Sequence, residues 1–185
     1  FTKKMIISHI YRETGKNTFY EGLVDLIFKI TNTKDDVCEC KYIQIYNESA
    51  TIKDNDFYNC ESLKSVIILK GITSLGDNVF YNCKNLISII IPKGVINIGG
   101  YSFFGCEFLT SITIPEGVVC IKDCSFVKCL GLITVNLPST VSSIGEGSFF
   151  FCSKFKSITI SKKFTKEKVN YFFGSFLSKL EVTYI

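Results

Sequence analysis

The chain has 185 residues, a net charge of +4 and a mean hydropathy of +0.27. Its apolar residues fall in short clusters, and no run approaches the roughly 18 to 20 apolar residues of a membrane helix, so no membrane span is expected. One histidine stands against nine cysteines, which leaves little material for nucleophile–base chemistry or histidine metal sites.

The charge is uneven along the chain. Residues 1–36 are balanced to within one unit, residues 37–152 carry −2, and residues 153–185 carry +5 from seven lysines against two acids. The basic end, "SKKFTKEK" (Ser161 to Lys168), reads as a solvated terminal face. With the central 37–152 net negative, nucleic acid is not an expected partner. At the N-terminus "FTKKMIISHIYRETGK" has a basic start but only three consecutive apolar residues before Ser8 and His9, so no secretory signal is visible. Residues 1–24 fit either a short amphipathic helix or a strand.

From residue 37 the chain repeats. Cys60, Cys83, Cys106, Cys129 and Cys152 are each 23 residues apart. Aligned on them, "CESLKSVIILKGITSLGDNVFYN", "CKNLISIIIPKGVINIGGYSFFG", "CEFLTSITIPEGVVCIKDCSFVK" and "CLGLITVNLPSTVSSIGEGSFFF" share one pattern. Worn copies flank them. Residues 37–59 keep Val37, Cys40, Ile43, Ile45, Ile52 and Phe57 in register. Residues 152–173 keep Cys152, Phe155, Ile158, Ile160 and Phe164. "LSKLEV" (Leu177, Leu180, Val182) begins a partial copy or capping strand in 174–185. Worn end copies are what terminal caps of an array look like.

Each unit reads as one coil. L-x-x-I-x-I ends in period-2 alternation, so Ile89 and Ile91 point inward while Ser88 and Ile90 point outward. Pro92, Pro115 and Pro138 lack a ladder N–H and end the strand. Gly76, Gly99 and Gly145 suit a tight bend or close packing. The S-F-F-G-C stretch leaves room for a turn or short helical piece. No coil can bury its own apolar face; stacking coils about 4.8 Å apart buries it and builds a parallel sheet. Phe57, Phe80, Phe103, Phe126 and Phe149 would stack as a spine, as would the leucines at 63, 86, 109 and 132.

The second unit, with Cys83, Leu86, Ile89, Ile91, Pro92, Val95, Ile98, Gly99 and Phe103, resembles the BspA-like, or Treponema-type, leucine-rich repeat. Ser102, Ser125 and Ser148 stand where alanine is usual. Leu69 for proline, Lys122 for glycine and Val79 for the small residue depart from the pattern. The resemblance covers about residues 37–182. It implies a mainly β leucine-rich-repeat solenoid, a right-handed coil with a parallel sheet on its concave face and turns or short helical pieces on its convex face. It also implies protein–protein or cell-surface adhesion with no catalysis by the repeats, and a surface or secreted location. Members often begin with a hairpin cap, and "LIFKITNTKDDVCECKYI" offers one: Leu26, Phe28 and Ile30 alternate before the turn residues "TNTKDD". The expected organisation is a cap over 1–36, six repeats over 37–173 and a closing segment over 174–185.

Catalytic and metal readings fare poorly. His9 lies outside the repeats, and no Gly-Lys-Ser/Thr phosphate loop is present. Neither "CEC" (Cys38, Cys40) nor the group Cys120, Cys124 and Cys129 has C-x-x-C spacing, so no metal or cofactor is expected. An odd number of cysteines leaves at least one thiol unpaired. Cys60, Cys83, Cys106, Cys129 and Cys152 read as small buried apolar fillers. Cys120 and Cys124, at variable positions, read as the exposed thiols. Whether Cys38, Cys40, Cys120 or Cys124 form disulfides stays open.

In a stacked array the outward strand residues form the candidate ligand-binding surface. Coil by coil they are Tyr42, Gln44 and Tyr46; Ser65 and Ile67; Ser88 and Ile90; Ser111 and Thr113; Thr134 and Asn136; Ser157 and Thr159. This face is nearly uncharged and rich in hydroxyls, with two isoleucines and two tyrosines toward its N-terminal end. It fits a protein ligand equally well as it fits a solvated sheet of β-favouring residues. The alternative function is an intracellular structural or assembly component docking through its flanks or terminal strands, "LEVTYI" being an edge available for pairing. Oligomeric state is left open.

Overall fold

The computed structural model of the protein describes residues 6–7, 38, 41–46, 50–174 and 180–185. The hairpin residues Leu26, Phe28 and Ile30, together with His9, Val37, Cys40 and Leu177, lie outside them. The chain winds as a β-solenoid. Each coil contributes one front strand: β2 (Tyr42–Tyr46), β4 (Ser65–Ile68), β6 (Ser88–Ile90), β8 (Ser111–Thr113), β10 (Thr134–Asn136) and β12 (Ser157–Ile160). Five coils add a two-residue back strand: β3 (Thr51–Ile52), β5 (Ser74–Leu75), β7 (Asn97–Ile98), β9 (Cys120–Ile121) and β11 (Ser143–Ile144). Each back strand pairs in parallel with its neighbours one coil away, Leu75 facing Ile52 and Ile98. The S-F-F-G-C stretch forms turns as expected, and before it the back of the solenoid carries a second, continuous five-stranded sheet.

The front strands follow the alternation in the sequence. Ile89 is buried between exposed Ser88 and Ile90, and Ile112 between exposed Ser111 and Thr113. At Pro92 the carbonyl accepts the Val95 amide at 3.4 Å, and Gly94 takes φ +112°, a left-handed value at the third position of the turn that suits glycine. Leu69, standing where later coils have proline, keeps its amide and donates it to Ile45 O at 3.0 Å. The substitution thus adds a ladder bond that proline would forfeit.

The core lies between the two sheets and the aromatic turn. Phe57, Phe80, Phe103, Phe126 and Phe149 stack at successive centroid distances of 5.2, 5.5, 5.1 and 5.3 Å. A sixth ring, Phe173, continues the column 4.8 Å beyond Phe149. It comes from helix α1 (Lys166–Phe173), which replaces the back strand in the last coil. Thr165 caps the helix by accepting the Lys168 amide, and Gly174 follows its end at φ +62°, the usual stop signals. Val169, Phe172 and Phe173 form its buried face.

Polar atoms in the core are satisfied across coils. Ser102 Oγ donates to Gly99 O at 2.6 Å and lies 3.0 Å from Gly76 O, and Ser125 and Ser148 repeat the arrangement. Gly99 leaves no space for a side chain, since a Cβ there would run into the Gly76 carbonyl. The Nζ of its counterpart Lys122 reaches back to Asp77 Oδ1 at 3.0 Å. Burial pushes the Asp77 pKa up, but hydrogen bonds from Lys122 and the Gly100 amide outweigh it and hold the carboxyl below its ordinary value. Both partners are about half exposed, so this pair adds no more than about 1 kcal/mol.

The cysteine ladder needs one correction. Cys83, Cys106, Cys129 and Cys152 are buried thiols outside any disulfide, each donating Sγ–H to the carbonyl of the phenylalanine 26 residues earlier, at 3.1 to 3.3 Å. Cys60, expected to be one of them, is disulfide-bonded to Cys38. It is as buried as the others, but it sits on the first full coil, where the segment bearing Cys38 meets the array. There the neighbouring coil brings a second thiol within 4.2 Å, Cα to Cα, close enough for a bond.

At the ends, β1 (Ile6–Ile7) pairs antiparallel with β2, Ile6 facing Tyr46, and β13 (Glu181–Tyr184) pairs in parallel with β12. The strand alternative for residues 1–24 thus holds at Ile6 and Ile7.

Candidate functional site

The front sheet arranges the outward residues in rows across the coils. Tyr42, Ser65 and Ser88 form one row and Gln44, Ile67 and Ile90 the next, set by the parallel register of β2, β4 and β6. Ser111, Thr134 and Ser157, then Thr113, Asn136 and Thr159, form the corresponding rows over β8, β10 and β12. Tyr46 ends β2 opposite Ile6.

The rows do not run unbroken. The front sheet divides into β1-β2-β4-β6 and β8-β10-β12-β13, with no ladder between β6 and β8, although β7 and β9 remain paired behind them. The core isoleucines flanking the division are the leakiest of the front strands: Ile89 and Ile91 are 7% exposed, against 0% for Val66 and Val135. The two halves also differ chemically. The N-terminal half presents Tyr42, Ile67 and Ile90, the last 58% exposed. The C-terminal half presents hydroxyls and Asn136.

Part of the hydroxyl surface is occupied by itself. Ser88 Oγ donates to Ser65 Oγ at 2.9 Å, and Ser157 Oγ to Thr134 Oγ1 at 3.1 Å. Ser111, Thr113 and Asn136 are exposed, whereas Gln44, Ser65, Thr134, Ser157 and Thr159 are half-buried. Sequence reasoning passed over Ile87, 50% exposed at the entry to β6. The same place holds Lys41, Lys64, Thr110 and Lys156 in other coils, and Ile133, 42% exposed, before β10. In the turns that lead into the front strands, Tyr58, Tyr81 and Phe104 stack at 4.7 Å, with Lys128 Nζ 5.5 Å from the Phe104 ring.

Among the described residues, no cluster of three or more His, Cys, Asp or Glu is placed to hold a metal ion, and no helix is long and apolar enough to cross a membrane. Burial pushes the Cys106 and Cys129 thiols well above their ordinary pKa, which keeps them protonated and unreactive. Cys120 and Cys124 are only half-buried, and a hydrogen bond with Cys124 raises the Tyr101 hydroxyl pKa. Iodoacetamide is therefore expected to alkylate Cys120 and Cys124 in the native protein well before Cys83, Cys106, Cys129 or Cys152. Peptide mapping that finds all six labelled at one rate would refute the buried ladder.

Stacked 23-residue coils, a front sheet, a phenylalanine column and a cysteine at each coil junction define a leucine-rich-repeat solenoid. The chain belongs to the BspA type leucine rich repeat family, whose profile matches it in six copies over residues 29–95 and 73–184. It is similar to a leucine-rich repeat protein from Bacteroides ovatus, with 30% identity and a TM-score of 0.63, over 73% of this chain and 35% of that one. It is similar to a leucine rich cell surface protein from Faecalibacterium prausnitzii, with 33% identity and a TM-score of 0.52, over 62% of this chain and 34% of that one. The leucine rich repeat protein of T. pallidum shares its fold at 22% identity, with a TM-score of 0.59 and 79% of each chain covered. The chain thus spans about a third of the Bacteroides and Faecalibacterium proteins and most of the Treponema one. No curated protein matches it. Repeats of this family are generally protein-interaction scaffolds and typically non-enzymatic.

Proposed function

We propose that the protein is a non-enzymatic adhesion or interaction module that binds a protein ligand through the concave front sheet. The observation that carries this is the pair Ile67 and Ile90, 39% and 58% exposed and one coil apart in register. Side by side, the two make a contiguous apolar patch rather than scattered β-favouring residues, and Ser65 and Ser88 show that the same strands accept hydroxyls. Tyr42, 44% exposed, extends the apolar centre toward β2, and tyrosine is a common interface anchor.

Two observations favour a location outside the reducing cytosol, which fits the adhesion reading. The Cys38–Cys60 disulfide is a feature of oxidising compartments, and the similar Faecalibacterium protein is described as a cell surface protein.

The test is the double variant Ile67→Asp, Ile90→Asp. Both side chains point out of the sheet, so the variant is expected to keep the wild-type circular dichroism spectrum and melting temperature. Partners captured by the wild type from native extract should be lost. If the folded variant still captures them with unchanged affinity, binding lies elsewhere on the solenoid.

A further inference from the structure

Lysines frame the β2-β4-β6 half of the front sheet. Lys41 and Lys64 stand at the entry to β2 and β4, and Lys70 and Lys93 in the turns that leave β4 and β6. Lys41 and Lys64 are one coil apart and joined through the backbone, the Lys64 amide donating to Lys41 O at 2.6 Å. Lys70 and Lys93 are also one coil apart. Like charges on neighbouring strands repel, and no ion pair among the described residues relieves these four. The two ion pairs found, Lys84–Glu61 and Lys122–Asp77, involve none of them.

The acids gather elsewhere. Asp54, Asp77, Asp123 and Glu146 lie in the turns that follow the back strands, where Asp54 and Asp123 accept the amides of Asp77 and Glu146. Nearer the front strands lie Glu61, which Lys84 holds at 2.8 Å, and Glu107 and Glu116, which flank β8 beyond the division of the sheet. Between the two lysine pairs lies the apolar centre, Tyr42, Ile67 and Ile90. Lys156 and Lys162 take the same places around β12, but lysine pairs on adjacent coils and the apolar centre occur together only over β2-β4-β6. An apolar centre inside a charged rim is the layout of a protein interface, in which the rim charge selects the partner and the centre holds it.

We infer that the N-terminal half of the front sheet docks an acidic protein segment, in which an aliphatic or aromatic anchor flanked by carboxylates seats on Ile67 and Ile90 while the carboxylates meet Lys41, Lys64, Lys70 and Lys93. This rests on the front-sheet binding proposed above and adds the chemistry of the partner. A polyanionic glycan or an anionic lipid surface would satisfy the lysines too. Neither accounts for isoleucines at the centre: sugar rings stack on aromatic faces, and a planar bilayer does not follow a concave sheet.

The probe is a random 12-residue peptide library displayed on phage, selected against the intact protein. Enriched peptides are expected to carry net negative charge and at least one large apolar residue. Their affinity should fall roughly tenfold or more with Lys64→Gln, Lys93→Gln, and fall steadily as ionic strength rises from roughly 0.05 to 0.3 M. It should be lost in Ile67→Asp, Ile90→Asp. Circular dichroism and melting temperature confirm that each variant is folded; the lysines are on the surface, and glutamine retains most of the stem. Peptides lost with the isoleucine variant but indifferent to the lysine variant and to salt would overturn the acidic partner while leaving the front-sheet site standing. Peptides indifferent to both would overturn both. Failure to enrich any acidic peptide overturns the inference. So does tighter binding of heparin, or of phosphatidylserine vesicles, that survives Ile67→Asp, Ile90→Asp.

Discussion

Phe103→Ala is expected to lower the unfolding free energy by about 3–5 kcal/mol. Phe103 has no exposed surface and is sandwiched between Phe80 at 5.5 Å and Phe126 at 5.1 Å. Neighbouring coils cannot close the gap, because their spacing is set by backbone bonds on both sides of the ring. The Phe103 amide donates to Ser125 O, and Phe80 donates to Ser102 O, each at 2.8 Å. The cavity should therefore persist, with the lost ring contacts adding to the transfer cost. In a stacked array each coil contacts only its neighbours, so a lesion in the middle weakens both junctions. Chemical denaturation measures the loss. A decrease below about 1 kcal/mol would mean that the column is not a packed spine.

The second large effect is expected at the N-terminal end. Breaking the Cys38–Cys60 bond, whose partners are 22 residues apart, should cost about 3 kcal/mol by the loop-entropy account. Cys38→Ala is the cleaner variant, because it is only half-buried, whereas Cys60 is fully buried in the core. The loss should concentrate in the first coil, since stability in solenoids is local. Dithiothreitol should reproduce it in the wild type and have no further effect on Cys38→Ala. A wild-type denaturation curve unchanged by dithiothreitol would show that the bond does not stabilise the fold.

Much of this architecture is written locally. A 23-residue period, alternating Ser88-Ile89-Ile90 and a phenylalanine at one place in every unit are enough to predict stacked coils, a parallel front sheet and an aromatic column. Each is a property that every coil shares, so four copies say the same thing. The outward face follows from the same alternation, which is why Ile67 and Ile90 could be named before any contact was known. The helix signal was present as well, in Thr165, Glu167 and Gly174. It was hidden because Phe164 continues the repeat register into the coil where the helix takes over.

What escaped the sequence are the differences between coils. Cys38 and Cys60 are separated by one residue less than the period, so aligning the repeats cannot pair them; only the path of the chain into the first coil does. Lys122 looked like a damaged turn until Asp77, two coils away, supplied its partner. Ser65 and Ser88 looked like free hydroxyls, yet stacking bonds one to the other. The division of the front sheet between β6 and β8, and the lysine frame around its N-terminal half, exist only once coils are stacked. Periodicity dictates what a coil is, because burying one apolar face has the same solution in every unit. Tertiary structure decides which residues of different coils meet, because those contacts cross the coil spacing and leave no local trace.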